Sequence, residues 1–224
     1  MRRDLVLLSG GLDSSTALAR SHARGIAVFA LSVDYGQRHR RELAAAAEIA
    51  AFYGVEHGVL DMTGWGQLLT GSALTDPNVP VPHGHYAAPA MKATIVPNRN
   101  ATLLCAAAGV AVSKGCTHVV TAVHAGDHPV YPDCRPEFIT ALDIAVALGT
   151  GEAVRLDAPF VHIDKTEIAR EAGKLGLPVE RTWSCYEGGD VHCGRCGTCV
   201  ERIEAFTDAG VDDATAYATP TGVV

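Results

Sequence analysis

Long apolar runs are missing from this sequence. No stretch of its 224 residues approaches the roughly 18 to 20 apolar residues that a membrane-spanning helix needs, which excludes that class. Positive charge is scarce as well: 18 Lys and Arg face 25 Asp and Glu, a formal charge of -7, which argues against a broad nucleic-acid or anionic-membrane surface. The opening Met1-Arg2-Arg3-Asp4 runs into an apolar segment too short for the core of a secretory leader. What is present is the composition of a folded domain, 48% hydrophobic and 19% charged, long enough for one α/β core and a small appendage. The cysteines number seven, with four crowded near the C-terminal end, and this suits a metal site in a reducing compartment better than a disulfide framework. A cytoplasmic protein acting on small molecules is the expectation.

Apolar runs of strand length alternate with segments of helical period, the pattern of a parallel sheet covered by helices. Strands are expected at about 4–8, 26–33, 57–61, 118–123 and 154–160, with helices near 14–24, 40–53, 98–114, 134–148 and 164–175. Together they predict a doubly wound, five-stranded parallel sheet over 1–180. Residues 63–97 break the rhythm with Gly, Pro and His and read as a lid or insert. A cysteine module over 181–210, with a short helix from about 197 to 206, and a small-residue tail at 211–224 complete the chain.

The first strand leads into Ser9-Gly10-Gly11-Leu12-Asp13-Ser14-Ser15 and directly into a helix. Two adjacent glycines let the backbone approach a phosphate, while the free N–H groups and positive dipole of the new helix face the anion. The three serines add hydroxyl donors, and Asp13 can hold a magnesium ion that bridges phosphates. The Lys of a Walker loop is absent. The plainer alternative is a tight turn with Asp13 and Ser14 as helix caps. The string resembles the pyrophosphatase loop (PP-loop) of enzymes that split ATP between its α- and β-phosphates.

Cys185, Cys193, Cys196 and Cys199 supply four thiolates within fifteen residues. Four soft ligands select zinc in a closed tetrahedral shell with no position left for an activated water, hence a structural role; an iron–sulfur cluster is the rival occupant. His192 beside them is either a spare neighbour or a substitute ligand. Cys105, within Leu103-Leu104-Cys105-Ala106, and Cys116 are assigned to packing.

Four further polar strings follow predicted strands or open helices: Asp34 to His39, Val96 to Asn100, Tyr131 to Phe138, and Thr182 to Tyr186. In an open parallel sheet the C-terminal strand ends form the ligand crevice, so these strings should converge on the glycine loop. With the loop and the cysteines they resemble the 7-cyano-7-deazaguanine synthase family of the queuosine pathway. Tyr131-Pro132-Asp133-Cys134-Arg135-Pro136-Glu137-Phe138 and the cysteine spacing are the most specific parts, and the likeness spans nearly the whole chain. The pattern departs at 123–130, where His124 stands in place of an Asn and Pro129-Val130 in place of a Ser-Gly pair.

The resemblance implies the PP-loop fold and ATP-dependent conversion of 7-carboxy-7-deazaguanine and ammonia to the nitrile, with ATP, Mg2+ and one structural Zn2+. It implies an ATP site at Leu8, Ser9, Gly10, Gly11, Leu12, Asp13, Ser14, Ser15, Thr16, Ala17, Leu18 and Val33. Asp13, Arg99 and Lys165 are the implied catalytic charges, and Tyr35, Gln37, Asp127, Asp133, Arg135 and Glu137 the implied substrate contacts. Asp133 or Glu137 would accept hydrogen bonds from the guanine-like edge, and Arg135 would hold the carboxylate or organise those acids. His39 and His124 are candidate proton carriers, and Tyr35 and Trp183 candidate stacking rings. A homodimer is implied, with no nucleic-acid or membrane partner. A different member of the superfamily acting on another carboxylate or on tRNA, a nucleotide sensor without catalysis, and a reaction stopping at the amide are the competing readings.

Overall fold

A computed structural model describes residues 1–86 and 88–219, so positions 220–224 of the expected tail lie outside the described residues. Five strands, β1 (Arg3–Leu7), β2 (Ala27–Asp34), β3 (Glu56–Asp61), β4 (His118–Val120) and β5 (Arg155–Asp157), form one all-parallel sheet in the order β3-β2-β1-β4-β5. This is the expected doubly wound sheet. β4 and β5 are shorter than expected: beyond Thr121, whose N–H donates to Asp157 O at 2.9 Å, the chain leaves the sheet, and Ala125 N–H donates to Ile163 O at 2.8 Å rather than to a strand neighbour.

The helices are α1 (Leu12–Ala23), α2 (Arg41–Phe52), a single turn α3 (Thr63–Gly66), α4 (Arg99–Ser113), α5 (Pro136–Gly149), α6 (Lys165–Leu175) and α7 (Gly197–Ala209). Consecutive strand residues point to opposite faces, and both faces are covered. Val6, Ala30 and Val120 pack under α1, α2, α6 and α7, with Leu18, Ile49, Ile168 and Phe206 in that layer. Leu5, Phe29 and Val119 pack under α4 and α5, with Leu104, Ala108, Ile139 and Val146. A near-continuous apolar strand is therefore what this sheet requires.

α1 and α2 lie on one face and α4 and α5 on the other, so the winding direction reverses between β1 and β4. The loops after those two strands are forced apart there, and a crevice opens at the C-terminal strand ends. The 63–97 insert holds α3 and a 3-10 turn at Pro89–Thr94, and it pairs with the cysteine module through a bridge between His83 and Cys196.

Candidate active site and cysteine cluster

The glycine loop stands at the floor of the crevice. Gly10 has φ +83, and a Cβ there would lie 2.4 Å from Glu42 O and 2.6 Å from Ala46 N, so only glycine lets α2 pass this close. The N-cap of α1 is Gly11, which has no side chain to cap the helix; its N–H donates to Ser9 Oγ at 3.3 Å, and Ser14 Oγ donates back to Gly11 O at 3.3 Å. Ser9 and Ser14 brace the loop, with their Oγ atoms 3.0 Å apart and Ser9 N–H donating to Ser14 Oγ at 3.2 Å. Trp183 N–H donates to Gly10 O at 2.8 Å, tying the segment that leads into the cysteines to the loop.

Leu8, Ser9, Gly11, Leu12, Asp13, Ser14 and Val33 line a cavity of about 270 Å³. Gly10 and Ser15 stand behind this lining, as do Thr16, whose hydroxyl donates to Leu12 O, and Ala17 and Leu18 in the core; they support the loop from beneath. Lys165, the first residue of α6, donates from Nζ to Asp13 Oδ2 at 2.8 Å and stands 3.1 Å from Glu201 Oε2. Burial is the largest single influence and opposes both charges of the Lys165–Asp13 pair, but the partner and the neighbouring charges together outweigh it: Asp13, near His124 and Arg202, sits below its ordinary value, and Lys165, near Glu201 and Asp127, above. Asp13 Oδ1 is buried without a hydrogen-bond partner, as a ligand-facing oxygen would be.

On the β2 side, Arg99 donates from Nη1 to Tyr35 OH at 3.3 Å, and both side chains face the cavity. Gln37 lines it too, but its amide is spent on the turn: Nε2 donates to Val33 O at 3.1 Å and to Glu42 Oε1 at 2.8 Å, while Oε1 accepts from Tyr35 N–H at 2.9 Å. Gln37 thus aims Glu42. Burial pushes the Glu42 carboxyl up to about 7, against the pull of Arg99 and of the Gln37 hydrogen bond.

On the β4 side, His124 is 2% exposed, and its Nδ1 accepts from Gly126 N–H at 3.1 Å. That bond places the ring proton on Nε2, which stands 3.6 Å from Asp127 Oδ1 and 3.9 Å from Asp13 Oδ2. Asp127 accepts from Tyr86 OH at 3.1 Å, and Tyr131 OH lies 2.6 Å from Thr94 Oγ1. Tyr86, Tyr131 and Tyr186 form an aromatic wall there. The Arg41 guanidinium lies over the Trp183 ring at 4.4 Å, and the His192 ring, tilted, is 4.3 Å from it. His39 lines the cavity, and burial lowers its pKa.

Three expected substrate contacts are not brought to the cavity. Asp133 accepts from Asn100 N–H at 2.9 Å and so caps α4. Arg135 is exposed, donating from Nε to His128 O at 3.1 Å, and Glu137 is exposed in the first turn of α5. The Pro132–Cys134 turn and the helix that follows send alternate side chains in and out, so only Tyr131 and Cys134 face inward. The sequence also conceals Glu42, Tyr86 and Glu201. Glu42 and Glu201 look like solvated helix residues, and Tyr86 lies in the insert, where no periodicity guides the reading.

The sulfur atoms of Cys185, Cys193, Cys196 and Cys199 all lie within 4.8 Å of one another, near the ~3.8 Å separation implied by tetrahedral bonds of about 2.3 Å. Backbone N–H groups of Cys193 and Cys196 donate to sulfur at 3.4 and 3.2 Å, which suits thiolates. These four residues fit a bound metal ion. His192 is the spare neighbour, since its Nε2 accepts from Ser184 N–H at 3.0 Å. Cys116 is buried as expected, whereas Cys105 is exposed, because position 105 falls outside the buried stripe of α4 formed by Leu104, Ala107, Ala108 and Ala111.

The model of the family described as queuosine biosynthesis protein QueC matches residues 3–210. A relative from Allorhizobium ampelinum named 7-cyano-7-deazaguanine synthase is 54% identical over 218 residues, 96% of this chain and 92% of that one. Relatives with the same name from Ruegeria pomeroyi and Marinobacter nauticus are 53% and 49% identical, covering 97% and 95% of this chain and 95% and 96% of theirs. With near-complete coverage in both directions, and with the glycine loop and the cysteine cluster inside the matched range, this chain belongs to the queuosine biosynthesis protein QueC family of enzymes.

Proposed function

We propose that this chain is a 7-cyano-7-deazaguanine synthase, converting 7-carboxy-7-deazaguanine and ammonia to the nitrile at the cost of two ATP activations. The observation that carries this is the uncapped glycine loop facing a cavity with Lys165 and Arg99 on its walls. That arrangement suits a polyphosphate next to a second anion.

In the first half, a carboxylate oxygen attacks the α-phosphorus, pyrophosphate leaves, and ammonia displaces AMP to give the amide. In the second, the amide oxygen is adenylated in the same way. Loss of AMP and the nitrogen protons then leaves the C≡N bond. The loop from Ser9 to Ser15 holds the β- and γ-phosphates, and the β2 end at Leu31 to Asp34 takes adenosine. Lys165 and Arg99 offset charge on the phosphates and the acid as bonds break. Magnesium, when bound, neutralises the leaving pyrophosphate, and Asp13 Oδ1 is the oxygen that would hold it.

The deazapurine lies on the β4 side, where Asp127 accepts its N–H donors between Tyr86 and Tyr131. His124 Nε2 is placed to move a proton between the amide nitrogen and Asp127. Gln37 serves through Glu42 rather than by contact. Cys185, Cys193, Cys196 and Cys199 would hold zinc, which would fix the module against the loop. The protein works in the cytoplasm, and it pairs as a homodimer through the outer side of α5, where Ile144 and Leu148 are 55% and 71% exposed.

The test is a reaction of purified protein with the acid, ATP, magnesium and ammonium, with products weighed by mass spectrometry. Nitrile together with AMP is the expected outcome. Amide alone, or ATP use that ignores the acid, would overturn the proposal.

A further inference from the structure

The helix that begins in the cysteine cluster also reaches the crevice. α7 is preceded by Cys196 and carries Cys199 in its first turn, and two residues later, on its opposite side, it presents Glu201. The Glu201 side chain is 12% exposed, with Oε2 at 3.1 Å from Lys165 Nζ, and Lys165 in turn donates to Asp13 in the glycine loop. The other oxygen, Oε1, lies beneath the turn at 124–127, so close that a Cβ on Gly126 would come within 3.2 Å of it. One carboxylate from the cysteine module thus meets both the head of α6 and the loop that carries His124 and Asp127.

A lysine ammonium on a four-carbon stem has many rotamers, and two carboxylates restrict it where one does not. The rest of α7 is anchored separately. Arg202, fully buried, donates to Thr182 Oγ1 at 2.7 Å and to Val179 O at 3.1 Å, and pairs with Asp213 at 3.2 Å. Loss of order among the sulfurs would therefore loosen the first turn of α7, where Glu201 follows, without unfolding the helix.

We propose that Glu201 is a positioning residue: it fixes Lys165 beside the glycine loop and makes that position depend on the order of the cysteine cluster, so that metal occupancy and nucleotide affinity are coupled. The nucleotide half of this rests on the reading of the crevice as an ATP site.

The test is a cycle of two perturbations, Glu201→Gln and removal of metal by a chelator, made singly and together on the full chain. Two quantities are read: affinity for a non-hydrolysable ATP analogue with magnesium, and the rate at which Lys165 is acetylated by acetic anhydride. Either perturbation alone should weaken binding about tenfold and speed acetylation by a similar factor, and the second added to the first should change each by less than about threefold. Metal content and melting of Glu201→Gln should match the parent. Additive losses, or a Glu201→Gln protein that binds and reacts like the parent, would overturn the coupling. If no form binds the analogue, the nucleotide reading fails, and Lys165 acetylation still decides whether Glu201 links the two regions.

Discussion

The glycine loop at 9–15 and the string at 131–138 look equally diagnostic as sequence, yet they behave differently in the fold. In the loop, the proposed function would be carried by backbone N–H groups, whose direction follows from the strand, the turn and the helix that the same residues dictate. In the string, function would be carried by side chains on a 3-10 turn entering a helix, where neighbouring residues leave in different directions. Tyr131 and Cys134 enter the cavity, Asp133 caps α4, and Arg135 and Glu137 meet solvent. A motif of backbone donors discloses its own geometry; a motif of side chains discloses only which residues are available.

The contrast is broken most forcefully at Gly10. Replacement by alanine forces a positive φ on a residue with a Cβ and drives it into Glu42 O and Ala46 N. We expect a loss of about 3 kcal/mol or more in denaturant unfolding and no measurable ATP binding. An Ala variant that binds ATP as the parent does would show that backbone geometry is not what the loop supplies. Next comes Lys165→Ala, which should lower kcat/KM for acid-dependent AMP formation by about a thousandfold. It also leaves Asp13 and Glu201 buried near each other without their shared cation, so the melting temperature should fall.

Glu42→Gln sharpens the comparison from the stability side. The folded value of about 7 lies above the ordinary 4.5, so between those pH values the folded state keeps a proton that the unfolded state releases. Stability therefore falls as pH rises through that window, and the full penalty is present above about 7. The Gln variant should be more stable by about 1–2 kcal/mol at pH 8, with the gap closing by pH 4.5, as read from denaturant midpoints. The smallest effect is expected at the outward-facing residues. Glu137→Gln and Arg135→Gln should leave kcat and KM within about twofold of the parent, and a tenfold rise in KM for the acid would return these residues to the site.

Much of the architecture was legible in the sequence. Alternating apolar runs placed all five strands, since both faces of a parallel sheet are buried, and the lengths of β4 and β5 were overestimated because Ala122 to Val123 and Ala158 to Phe160 remain apolar after pairing ends. The cysteine spacing predicted the cluster, because four thiolates within one short segment have few other uses. Glu42 and Glu201 could not be found this way. Each acts only through a neighbour distant in sequence, Glu42 across from Arg99 and Glu201 beside Lys165, and no local pattern records such a meeting. Cys105 illustrates the converse error, an apolar neighbourhood in sequence that faces solvent in the helix.

The most direct test of the central claim is to supply the acid with both carboxylate oxygens as oxygen-18 and to weigh the nucleotide and phosphate products. Activation at the α-phosphorus in both halves predicts one labelled oxygen in every AMP, unlabelled pyrophosphate, and a nitrile free of oxygen at the reacting carbon. Label in inorganic phosphate accompanied by ADP, or AMP carrying none, would contradict an adenylated carboxylate and an adenylated amide alike.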